Sequence, residues 1–169
     1  GLLAKYLRGN ELKIIYTPNT EIIMALKDNN NLIDLFNRGD LILPDGIGLI
    51  LASKIRKRPL KERVTGFDIS IKLLEIGDKF NYSFYLLGGK EGVAKKAAEK
   101  IKAKYKGIQI AGFHHGYFKG SHLGIRNSKE EEKVIKEIKK TKPDIIFVGL
   151  GFPRQELWID TNKNRLEGK

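Results

Sequence analysis

Short, unbroken apolar runs alternate along this chain with longer stretches in which apolar residues recur every three or four positions. The runs LKIIY (12–16), DLILP (40–44), YSFYLL (82–87), IQIAG (108–112) and DIIFV (144–148) predict strands. The stretches between them predict helices. Thr17-Pro18-Asn19-Thr20 turns into the first, with Asn19 or Thr20 as its cap and Ile22, Ile23 and Leu26 inward. Leu32, Leu35 and Phe36 carry a helical pattern up to Gly39, and 46–54 predicts a further helix. Ile69, Leu73, Leu74 and Ile76 set the inner face of a helix over 67–80; helices over 91–105, 129–141 and 153–166 complete the set. A strand with one face in water alternates apolar with polar residues, and these runs do not. The pattern therefore predicts an α/β fold, a Rossmann-like parallel sheet with helices on both faces, built as one domain over 1–169.

In such sheets ligands gather beyond the carboxyl ends of the strands. Each strand here ends in a segment with chemistry. GLGFPRQE (149–156) puts Gly149 and Gly151 at a strand-to-helix corner, where free N–H groups and the helix dipole attract an anion. Arg154 stands where a dinucleotide fingerprint wants its third glycine, which disfavours NAD; Gln155 offers an amide that can read a polar ligand. The same segment also suits a plain tight turn, with Pro153 opening the helix and Glu156 helping to cap it. Gly88 and Gly89 form a second corner that lets a ligand approach the backbone, but it lacks the Walker pattern. Asp45, in LPDGIG (43–48), is placed either to act as a general base or to cap a helix. Arg63 can pair with a diphosphate or remain a surface charge. Tyr117 can stack on a base or pack on the core. His114 and His115, adjacent on an extended segment, are expected to point to opposite sides, which argues against a shared metal.

Composition narrows this picture. The chain has 41% apolar and 31% charged residues, as expected of a globular protein, and its longest apolar runs fall far short of the roughly 20 residues of a membrane span. The segment before Lys5 has no signal-peptide layout. With no cysteine, disulfides, thiolate metal sites and thiol nucleophiles are excluded. No D-x-D occurs, so a carboxylate-held metal on a nucleotide diphosphate has no obvious home. The net charge of +12 favours anionic partners. Lys95, Lys96, Lys100, Lys102, Lys104 and Lys106 fit a solvated helical face, whereas RKRPLKER (56–63) is denser.

Taken in order, TPN (17–19), DLILPDGIG (40–48), ERVTGFD (62–68), YLLGG (85–89), GFHHGYF (112–118) and DIIFVGLGFPRQE (144–156) resemble the WecG/TagA/CpsF glycosyltransferases, glycosyltransferase family 26, nearest to the TagA branch of wall teichoic acid assembly. The likeness runs through nearly the whole chain, and its two glycine-rich blocks together are specific. It implies transfer of N-acetylmannosamine, with inversion, from its UDP donor to undecaprenyl-diphosphate-linked N-acetylglucosamine. The product is the β-1,4 disaccharide of the teichoic acid linkage unit. By resemblance Asp45 is the base, Thr17 and Asn19 lie near sugar and acceptor, and Arg63 is an active-site arginine. Gly88, Gly89, Tyr117, Gly149, Gly151, Arg154 and Gln155 line the UDP pocket. No metal or other cofactor is expected. Partners would be the UDP-sugar, the polyprenyl-linked acceptor and an anionic membrane surface, with no nucleic acid; the location would be cytoplasmic, peripheral on the inner face of the plasma membrane. Family members continue into an arginine- and aromatic-rich tail, so this chain is expected to be a core without it, with weakened activity and apolar surface that favours homo-oligomers. Two rivals remain at this point: an NAD-linked enzyme on the same architecture, which would bind NAD more tightly than UDP, and a basic nucleic-acid-binding module, which would bind polynucleotide in a strongly salt-dependent way.

Overall fold

The structure is a computed structural model that describes residues 1–43 and 66–166. In chain order the first elements are α1 (Leu2–Arg8), β1 (Ile15–Tyr16), α2 (Thr20–Leu26), α3 (Asn30–Asn37) and β2 (Leu41–Ile42). They are followed by α4 (Gly66–Phe80), β3 (Ser83–Gly88), α5 (Val93–Lys104) and β4 (Gln109–His114). A 3-10 turn (Ser121–Leu123), α6 (Lys129–Thr141), β5 (Ile145–Gly149) and α7 (Arg154–Leu166) complete the described chain. One compact unit comprises Gly1–Leu12 and Leu73–Lys169, the other Lys13–Lys72.

In the larger unit β3 is the middle strand of a parallel sheet of order β4-β3-β5. Its unbroken apolar run is explained by burial on both faces: Phe84, Tyr85, Leu86 and Leu87 are all at most 6% exposed. Tyr85 and Leu87 point into a core with Phe118, Val134, Ile135, Ile138 and Trp158, contributed largely by α6 and α7. Leu86 points the other way, onto Ala94 and Ala98 of α5, with Ile110 and Phe147 alongside. Phe84 meets Phe147 edge-on at 5.5 Å, and α4 approaches so closely that a Cβ on Gly77 would lie 2.4 Å from the Phe84 ring. Parallel strands covered by helices on both faces make this a Rossmann-like α/β arrangement, as the apolar runs predicted.

Polar contacts fix the register of this sheet. Asp144 Oδ2 accepts from the Ser83 amide at 2.9 Å, and the Asp144 amide donates back to the Ser83 carbonyl at 3.0 Å, locking the start of β5 to β3. Asp78 Oδ1 accepts from the Gly107 amide at 2.7 Å, tying α4 to the turn before β4. Behind the carboxyl edge, Glu131 Oε2 accepts from the Ser121 amide at 2.6 Å and its hydroxyl at 3.1 Å. Asn162 Nδ2 donates to that hydroxyl at 3.1 Å and to the Trp158 carbonyl at 3.0 Å. Glu131 and Asn162 are both buried, so losing one partner would strand a buried donor or acceptor at a cost of about 1–3 kcal/mol. This network seats the 3-10 turn on α6 and α7.

In the smaller unit β1 and β2 pair in parallel, Ile15 with Leu41 and Tyr16 with Ile42. Asp40 Oδ2 accepts from the Ile14 amide at 2.7 Å, and Tyr16 packs on Phe36 at 5.1 Å. Asn19 caps α2 by accepting from the Ile22 amide at 2.9 Å, the alternative the TPNT turn left open with Thr20. The strands are two residues each, shorter than the runs LKIIY and DLILP. The predicted helix over 46–54 lies outside the described residues.

Candidate functional site

The parallel register brings three strand ends level: Gly88 is the partner of Gly149, and Leu87 the partner of His114. The loops leaving them converge. Gly88 has φ +145°, and a Cβ there would lie 2.3 Å from the Gly149 carbonyl oxygen, so only glycine lets these two corners meet. The amide of Gly116 donates to the Gly89 carbonyl at 2.8 Å, and a Cβ on Gly116 would lie 2.9 Å from the Leu150 side chain and 3.1 Å from Gly88 Cα. The backbone of three loops is thus packed into one bare corner at the carboxyl edge of the sheet, floored by Leu87 and Leu150 of the core beneath.

The same edge carries further residues that the sequence singled out. Tyr117 is 70% exposed, while its neighbour Phe118 is wholly buried, so the loop spends Phe118 on the core and leaves Tyr117 to the surface. Tyr117 therefore does not pack on the core. Arg154 is the exposed first residue of α7; the helix opens there, one residue after Pro153, whose peptide bond with Phe152 is cis. The Gln155 side-chain amide donates from Nε2 to Glu156 Oε1 at 3.0 Å. Gly88, Gly89, Tyr117, Gly149, Gly151, Arg154 and Gln155 therefore share one edge of one unit. Thr17 and Asn19 follow β1 in the other unit, where the Leu43 amide donates to the Tyr16 carbonyl at 2.9 Å and draws the ends of β1 and β2 together. Asn19 Oδ1 is engaged as the cap of α2. Asp45 and Arg63 lie outside the described residues.

Two features escaped the sequence reading. His114 and His115 do not diverge: their rings stack, with centroids 4.3 Å apart, because β4 ends at His114 and the chain leaves the pleat there. His115 Nε2 lies 3.3 Å from Glu130 Oε1 at the start of α6. The second is Glu156, which does not simply cap α7. It is 3% exposed, and its Oε2 has no hydrogen-bond partner among the described residues. A glutamate in a first helical turn looks like a capping residue in sequence, and nothing in GFPRQE marks it as buried.

Burial raises the Glu156 pKa above its ordinary 4.5, the Gln155 hydrogen bond opposing it. The folded chain then holds this proton more tightly than the unfolded chain, so the associated stability is present in acid and is lost as pH rises through the folded-state pKa. Glu156→Gln removes that loss. Its melting temperature relative to wild type is expected to rise between about pH 4 and about pH 8; parallel curves from thermal melts would contradict the assignment. His122, 5% exposed behind the corner, has its pKa lowered by burial, with Glu131 opposing and Arg154 reinforcing the shift. It is held as a neutral ring edge-on to Phe118 at 4.7 Å.

The sequence model of the WecG/TagA/CpsF glycosyl transferase family matches residues 2–169. The chain is 36% identical over 155 residues to a protein of Staphylococcus aureus (strain MRSA252) named N-acetylglucosaminyldiphosphoundecaprenol N-acetyl-beta-D-mannosaminyltransferase, covering 92% of this chain and 57% of that protein. A protein of the same name from strain NCTC 8325 / PS 47 is 36% identical over 153 residues, 90% of this chain and 56% of its own length. The chain thus spans little more than half the length of these relatives. Among the described residues, no helix is long and apolar enough to cross a membrane. With a family match over residues 2–169 and 36% identity to relatives over nine-tenths of its length, this chain belongs to the WecG/TagA/CpsF family of glycosyl transferases.

Proposed function

We propose that the corner made by Gly88, Gly89, Gly116 and Gly149 holds the diphosphate of a UDP-sugar, with Tyr117 stacked on the uracil and Gln155 reading the nucleotide. The observation that carries this reading is the convergence of three glycine-bearing loops beside an exposed tyrosine. Backbone N–H groups and the amino end of α7, with Arg154 as its first residue, offset the diphosphate charge. The sugar donor is UDP-N-acetylmannosamine and the acceptor undecaprenyl-diphosphate-linked N-acetylglucosamine. Transfer inverts the anomeric carbon: Asp45 takes the proton of the acceptor 4-hydroxyl as its oxygen bonds to C1 and UDP departs. Thr17 and Asn19 position sugar and acceptor, and Arg63 steadies the leaving diphosphate, so that no metal is required. The product is the β-1,4-linked disaccharide of the wall teichoic acid linkage unit. The lysine-rich surface suits peripheral attachment to the anionic inner face of the plasma membrane, where a polyprenyl-linked acceptor resides.

A thermal-shift series tests the donor assignment. UDP at about 100 times its dissociation constant is expected to stabilise the chain by about 2.7 kcal/mol, a rise of roughly 5–10 °C. NAD and poly-U are expected to leave the transition in place. A larger shift with NAD would favour a dinucleotide enzyme, a salt-sensitive shift with poly-U a nucleic-acid module; either, or no shift with saturating UDP, contradicts the proposal.

A further inference from the structure

His114, His115 and Glu130 each offer one ligand atom, and these atoms lie within 4.8 Å of one another. Their hydrogen bonds set the chemistry. His114 Nδ1 is 2.7 Å from the His115 carbonyl oxygen, which only an Nδ1–H can satisfy; His114 Nε2 is left with its lone pair. A ring whose second nitrogen donates to a backbone carbonyl is the usual arrangement of a metal-bound histidine. His115 Nδ1 accepts from the Tyr117 amide at 3.2 Å, which puts the ring proton on Nε2, facing Glu130 Oε1 at 3.3 Å. That separation matches the ligand-to-ligand edge, about 3.3 Å, of a tetrahedral site with bonds of about 2.0 Å. A metal there takes the place of the proton shared by His115 and Glu130. His114 stands beside this pair, its ring plane 34° from that of His115.

We propose that His114 Nε2, His115 Nε2 and Glu130 form a site for a zinc-class divalent cation at the rim of the glycine corner, with a fourth position open to water or an anion. Two nitrogens and one carboxylate suit Zn²⁺, Co²⁺ or Ni²⁺, whereas Mg²⁺ and Ca²⁺ require oxygen ligands. The site is coupled to its loop. Ligation through Nε2 moves the His115 proton to Nδ1, where it faces the Tyr117 N–H, so the Tyr117 amide loses its side-chain acceptor and must shift. This inference stands independently of the UDP reading, since it concerns only the cation and three side chains.

Calorimetric titration of the 169-residue chain with Zn²⁺ tests it. One equivalent is expected to bind, at least tenfold more weakly in both His114→Ala and Glu130→Gln, with no saturable heat from Mg²⁺. Co²⁺ on the wild-type chain is expected to give the intense visible bands of four- or five-coordinate cobalt, a readout that needs no variant. The Tyr117 amide resonance is expected to move on Zn²⁺ addition. Absence of saturable Zn²⁺ binding, affinity that either substitution leaves within about twofold, or only the weak bands of six-coordinate cobalt would overturn the site.

Discussion

Asp45→Asn is expected to lower sugar transfer about 10²- to 10⁴-fold while UDP still binds, in a form of the protein that carries out the reaction. The amide keeps the shape of the carboxylate but cannot take the acceptor's proton, so the loss falls on turnover. UDP binding survives because, in the proposed arrangement, nucleotide contacts come from the loops after β3, β4 and β5, whereas residue 45 follows β2. Steady-state kinetics with the lipid-linked acceptor, beside calorimetry with UDP, separates the two effects. Turnover close to wild type would remove Asp45 from the role of base. Loss of UDP binding together with turnover would mean that residue 45 supports the nucleotide instead.

Trp158→Ala is expected to destabilise the fold by about 3–5 kcal/mol, lowering the melting temperature by roughly 6–20 °C. Trp158 is fully buried and packs in the core that contains Phe118, Leu87 and Tyr85, with Leu150 against it. That core lies directly beneath the glycine corner, so truncation removes both apolar burial and the floor of the site. The indole Nε1 has no hydrogen-bond partner among the described residues, so Trp158→Phe forfeits no hydrogen bond and is expected to cost much less than the alanine. Chemical denaturation of the two variants reads this contrast. Equal losses, or a loss below about 1 kcal/mol for the alanine, would contradict the packing argument.

Residues whose local pattern and tertiary fate coincide are legible in such a chain. YSFYLL marks β3 because a central parallel strand buries both faces, and Ser128 with Glu130, Glu131 and Glu132 marks the start of α6 because cap and dipole act locally. Elements governed by pairing or packing are less legible. β4 runs on to His114, beyond IQIAG, because pairing with Leu87 extends it. α1 carries no buried residue and so no inward stripe to find. The 3-10 turn owes its place to Glu131 and Asn162, which approach it from two other helices. Within the candidate site, each glycine corner shows in the sequence, since strand ends before helices are local. Their convergence does not, because it depends on the strand order β4-β3-β5 and on the Gly88–Gly149 register. The histidine stack is illegible for the same reason: the chain turns out of its pleat at His114, and Glu130 arrives from another element. Local pattern leaves Asp45 and Arg63 each with two readings, and only the resemblance to the family selects the active-site one.

Amide chemical-shift mapping during a UDP titration tests the central claim most directly. The account predicts saturable shifts concentrated at Gly88, Gly89, Gly116, Tyr117, Gly149, Gly151 and Gln155, the loops at the carboxyl edge of the sheet. Shifts clustered instead around the amino ends of the strands, at Ser83, Gly107 and Asp144, or none at saturating UDP, would contradict it.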